Sequence, residues 1–170
     1  MKTFFVPTMC LFAASLAICQ GNKAQPGDDS HHSDMTHRGD HAMGFSHEKT
    51  THHFRLFKDG GAIEVTANDP SDTESRDQIR MHLGHITKMF SAGNFNVPMF
   101  IHNTTPPGAA KMSELREQIQ YQFQEMASGA RVRILTANPE ALEAIHAFLR
   151  FQITDHQTHD DLNVSEAAAK

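Results

Sequence analysis

A pair of matching junctions constrains this chain more than any other feature. Thr66-Ala67-Asn68-Asp69-Pro70 and Thr136-Ala137-Asn138-Pro139 each follow a short alternating segment and open a stretch of helical periodicity. Asn and Asp cap helix starts, and proline suits the first helical turn, where its missing N–H has no partner to lose. Ahead of the first junction, His52 to Phe57 and Ala62 to Ala67 flank Lys58-Asp59-Gly60-Gly61, a hairpin signal in which glycine supplies positive φ. Ahead of the second, Ile119, Tyr121 and Phe123 alternate with Gln120, Gln122 and Gln124; Ser128-Gly129 turns the chain, and Arg131 to Ala137 returns. Beyond the junctions, Ile79, Leu83, Ile86 and Phe90, then Leu142, Ile145, Leu149 and Ile153, recur at helical spacing. The pattern predicts an α+β two-layer sandwich, with one antiparallel sheet carrying two helices on one face. The repeated junction suggests a duplicated ββα unit.

Alternation also assigns faces. Phe54, Leu56, Ile63 and Val65 point toward the helices, whereas Arg55, Glu64 and Thr66 point away. His52 shares the helix-side parity and His53 the open-face parity. Between the halves, Asn94 to His102 reads as extended. Thr104 to Gly108 is too rich in proline for helix, and a short helical turn fits near Met112 to Glu117. Ala144, Ala147, Phe148 and Phe151 make the last helix apolar beyond its main stripe. Something must cover that side, so a homodimer through the last helix is one expectation, with the connector as the alternative cover.

The N-terminus begins with Lys2, an apolar run from Phe4 to Ile18, and Cys19-Gln20-Gly21, the layout of a secretory signal peptide over residues 1–19. The run is shorter than the roughly 20 residues that span a bilayer. A lipoprotein box at Cys19 is the alternative, and only it would tie the chain to a membrane. The bulky Ile18 argues against it. The expected location is periplasmic or secreted. Both cysteines, Cys10 and Cys19, fall in this leader, so the exported chain has neither disulfide nor thiolate ligand. Residues 51–157 are expected to form the single folded domain, and 158–170 a polar tail that frays. The net charge of -5 with neutral histidines leaves no basic patch, which excludes nucleic acid as the natural partner.

Histidine dominates what is left to explain. Seven of the thirteen histidines lie between His31 and His53, together with Met35 and Met43. Imidazole and thioether suit late first-row metals, so the expected cofactor is a copper ion first and a zinc ion second. Residues 20–50 contain few large aliphatic side chains and read as a flexible His/Met-rich arm. Their spacing matches no structural zinc pattern. The candidate ligands are His41, Met43 and His47 on the arm, His52 and His53 at its end, and His82, His85 and Met89 on the first helix. His146 and His156, within or beside the last apolar stripe, read as hydrogen-bonded core histidines. Metal binding by this set is expected to weaken between about pH 7 and 5.5 as imidazoles protonate. There is no cysteine nucleophile, Gly-x-Ser-x-Gly elbow or His-Glu-x-x-His helix, so no catalytic residue is assigned. The leading expectation is an exported metal-binding protein acting as buffer, chaperone or sensor. The alternatives are a metal-dependent enzyme using the domain's histidines and a metal-free interaction module.

Several runs carry a resemblance. Met43 to Ser46, Lys49 to Phe54, Asp59 to Ile63, Ile101-His102 through Pro106-Pro107-Gly108, and Ala144 to Ile153 resemble a group of small exported bacterial proteins without an assigned activity. The likeness spans residues 38 to 157 and implies no catalytic residues. Some of that group carry an aspartate carbamoyltransferase label, but this chain lacks the Ser-Thr-Arg-Thr phosphate loop of that enzyme. Where the group has Thr-Gly-Asp, this chain has Thr158-His159-Asp160.

Overall fold

The computed structural model describes residues 26–166, with side chains from residue 33 onward. The leader, both cysteines and the lipidation alternative lie outside the described residues. Helix α1 (Pro26–Met43) precedes a hairpin of β1 (Thr50–Phe57) and β2 (Gly60–Ala67). Helix α2 (Thr73–Ser91) follows, then the short helices α3 (Asn96–His102) and α4 (Ala109–Glu114). A second hairpin, β3 (Ile119–Met126) and β4 (Gly129–Thr136), leads into α5 (Pro139–Asp155).

The four strands form one antiparallel sheet in the order β1-β2-β4-β3, the expected α+β architecture with ββα occurring twice. The hairpins meet at a seam between β2 and β4, where Ile63 faces Val132 and Thr66 faces Gly129. A Cβ at Gly129 would sit 2.0 Å from the Val65 carbonyl oxygen, so only glycine lets the strands close there. Each helix crosses to the other hairpin: α2 packs on β3 and β4, and α5 on β1 and β2. The two helices touch edge to face through Phe90 and Phe148, 5.9 Å between centroids. The second junction caps as anticipated, the Asn138 side chain accepting from Ala141 N; at the first the helix starts later, at Thr73, and the cap is Asp72, two residues past Pro70, accepting from Ser75 N.

Three expectations change. The arm is not without structure: α1 is an 18-residue helix, closed by Gly44 at φ 79°. Its composition gives almost no apolar period, and a few contacts dock it. Met35 is buried, and Arg38 Nε donates to the Ile101 carbonyl at 2.8 Å. Segment 96–102 is helical, not extended, because Pro98 falls in the first turn where its ring costs no hydrogen bond. The described part of the tail, residues 158–166, does not fray. Ser165 bridges the outer edge of β1, and the buried Asp160 carboxylate accepts from Phe54 N at 2.9 Å. The connector also supplies the cover sought for α5. Phe95, just before α3, stacks on Phe90 at 4.4 Å and meets Phe148 at 5.7 Å. Phe151 lies edge-on to His102. The residues that suggested a dimer through the last helix are therefore satisfied within the chain. Among the described residues no helix is long and apolar enough to cross a membrane.

Candidate metal centre

Strand parity sends His52 and His53 to opposite sides of the sheet, and the two meet different chemistry. His53 lies on the open face, where Nδ1 is 2.8 Å from Asp160 Oδ1. Arg55 Nη1 reaches the same oxygen at 3.1 Å. His52 turns into the helix layer. Phe45 lies between it and His82 of α2, with ring centroids 6.1 Å from His52 and 5.6 Å from His82. His156, just past α5, lies parallel to His52 at 5.9 Å and perpendicular to His102 of α3 at 5.0 Å.

These four imidazoles, from β1, α2, α3 and the end of α5, line one cavity of about 60 Å³ together with Met43 and an apolar wall that includes Phe54, Ile86 and Phe148. Burial is the first cause that pushes His52 down to about 4, with His53 and His47 adding to it. Burial likewise pushes His82 down to about 4, with His52 and His85 assisting. Both rings are therefore neutral at ordinary pH and keep a lone pair. Among the described residues, neither ring makes a hydrogen bond. His102 differs. Its Nδ1 is 2.5 Å from Asp155 Oδ2, and its Nε2 is 3.0 Å from Gln152 Oε1. The buried Gln152 amide nitrogen has no partner. Turning that amide over lets it donate to His102 Nε2 while Nδ1–H donates to Asp155, so one tautomer serves both contacts. A carboxylate holding an imidazole this way is typical of the groups that support metal ligands.

Sequence reasoning located part of this arrangement. His52, His82 and Met43 come together, with Phe45 buried among them as the apolar anchor. The first helix's stripe separates: His82 enters the cavity, His85 is exposed, and Met89 packs against the core. His53 belongs to the open face and cannot join His52. His41 lies exposed on α1, and His47 is held by Asp40 at 3.1 Å. His146 is a core histidine, its Nε2 within 3.0 Å of the Phe57 and Gly60 carbonyls that close the first turn. Sequence reasoning counts neither His102 nor His156 as a ligand, because His156 reads as core and His102 closes a segment that reads as extended. The i, i+4 alternation of Gln152 and His156 was the available signal for an inward polar pair.

As placed, no group of three or more His, Cys, Asp or Glu side chains among the described residues could hold a metal ion. Two imidazoles sharing one ion, at bonds of about 2.0 Å, put their ring centroids roughly 5–6 Å apart. The His52–His156 and His102–His156 spacings fall in that range. No protein-family model, curated protein or solved structure matches this chain.

Proposed function

We propose that this is an exported metal-binding protein, copper first and zinc second, that serves as a buffer, chaperone or sensor and holds its ion among the imidazoles behind β1. One observation carries the reading: four histidines from four separate elements line a single apolar cavity, and burial keeps two of them, His52 and His82, neutral. A core that needs merely to be filled is built from aliphatic side chains, since a buried polar ring must find partners or cost stability. The His52 and His82 rings have no hydrogen-bond partner among the described residues, which suits rings reserved for a ligand. The cavity takes an ion or a water or two and is too small for an organic substrate, which favours binding over metal-dependent catalysis.

The test is a His52→Ala, His82→Ala double substitution in the full chain, titrated with Cu(I) and Zn²⁺ against competing chelators. Affinity should fall by more than about tenfold for whichever ion binds tightly. Equal tight binding before and after the substitution would refute this site.

A further inference from the structure

The histidine cavity shares three of its lining residues, Met43, His52 and His156, with a second space of about 230 Å³ beneath α1. This outer recess is also lined by Met35, His47 and Thr158. Two thioethers and three imidazoles thus face one recess whose lining contains no carboxylate. Met35 is buried, at 2 % exposure, although it belongs to a helix whose other described residues are largely polar. His47 is prepared from behind. Its Nδ1 is 3.1 Å from both Asp40 oxygens, and its backbone N donates to the same carboxylate at 2.9 Å. That contact leaves Nε2 as the ring's lone-pair atom, the carboxylate-to-imidazole arrangement that orients metal ligands.

Resting on the metal-binding reading, we propose that this recess is a site for a soft monovalent cation, Cu(I), held by two or three of the thioethers and imidazoles that line it, Met35, Met43, His47, His52 and His156. Ligand type decides the choice. Zn²⁺ is usually held by thiolate, imidazole and carboxylate, and no anionic group lines the recess to balance two positive charges. Thioether is a poor ligand for Zn²⁺ and a good one for Cu(I), which also tolerates two or three ligands and a neutral donor set. The shared partition of Met43, His52 and His156 places this recess directly outside the inner cavity. The helical form of α1 puts both Met35 and Met43 on the lining of the recess.

The test compares the full chain with a Met35→Leu, Met43→Leu double variant, which keeps size and apolar character while removing both sulfurs. Cu(I) is titrated under reducing, oxygen-free conditions against a chromogenic chelator, with Zn²⁺ titrated separately. Cu(I) affinity should fall at least about tenfold, Zn²⁺ affinity should not change, and X-ray absorption of the Cu(I)-loaded parent should show sulfur in the first shell. An unchanged Cu(I) affinity, or a shell of nitrogen alone, overturns the thioether site. Zn²⁺ binding without Cu(I) binding overturns it while sparing the metal-binding reading, whereas binding of neither ion sinks both. If the double variant fails to fold, the absorption spectrum of the parent decides alone.

Discussion

Two consecutive histidines divide this molecule. His52 faces the helix layer among Phe45, Phe54 and His156, and burial drives it down to about 4. One residue on, His53 faces outward into a ladder of charge. There, Arg131 meets Glu64 at 2.8 Å, Arg55 lies 4.0 Å from Glu64 and 3.1 Å from Asp160, and Asp160 accepts from His53. The same side chain is a neutral donor on one face and a hydrogen-bonded rung on the other. Residue type alone cannot say which, because the pleat decides before any chemistry does. The helix face therefore keeps its imidazole neutral, and the open face holds the sheet and its tail together.

The largest expected effect comes from the wedge of the helix face. Phe45→Ala should cost about 3–4 kcal/mol in denaturant unfolding, the usual range for emptying a buried phenylalanine site. A truncation starting at Lys49 should remain cooperative but lose a similar amount, whereas one starting at Gly44 should lose less. Equal stability of the two truncations would show that Phe45 is not the anchor.

Asp160 is the corresponding residue of the open face. Its side chain is only 4 % exposed and accepts from Phe54 N, Thr158 Oγ1 and His53 while paired with Arg55. Asp160→Ala strands those donors and should cost about 2–3 kcal/mol. Amides of the tail should then exchange with solvent while α2 stays protected; unaltered tail protection would contradict the anchor role.

The two faces should also titrate in separate windows. For His52 and His82 the folded pKa lies below the unfolded value of 6.5, so the unfolded chain takes up protons first. Their contribution is complete above about pH 6.5 and is lost as pH falls toward 4. Asp160 is lowered as well, but by a different cause. Burial works against its charge, but the hydrogen bonds from Phe54, Thr158 and His53 outweigh that and hold it below the ordinary carboxylate value. Its contribution persists through that histidine window and is lost only as pH falls through its lowered value. A metal-free stability profile without a slope between pH 6.5 and 4 in the parent, or with an unchanged slope in His82→Leu, would erase the distinction. The buried pair also moves the expected acid loss of metal binding below the window of pH 7 to 5.5 anticipated from ordinary imidazoles.

The smallest effect belongs to position 159. His159 has φ 57°, a left-handed conformation that costs an ordinary side chain about 1 kcal/mol. His159→Gly should raise the unfolding midpoint slightly, and a lowered midpoint would mean that the imidazole makes a compensating contact.

What the sequence made legible follows from periodicity. Both hairpins, both long helices, their caps and the separation of His52 from His53 depend on periods of two and 3.6, which local composition records. The helix α1 and the docked tail depend on a few long-range contacts, such as Met35, Arg38 to Ile101 and Asp160 to Phe54, which leave no local period to read. The site was half visible for the same reason. His82 and His52 follow from stripe and parity, but His102 joins them only because Pro98 begins a helix, and that is settled by the packing of Phe95 on Phe90.

The seam between β2 and β4 has a kinetic consequence. Each hairpin closes through a two-residue turn and can form early, whereas the seam joins residues about 70 positions apart and must wait for the α2-to-α4 segment to compact. Folding should thus be limited by one long-range docking event between two preformed halves. Because Gly129 must approach the Val65 carbonyl there, Gly129→Ala should slow refolding more than it speeds unfolding.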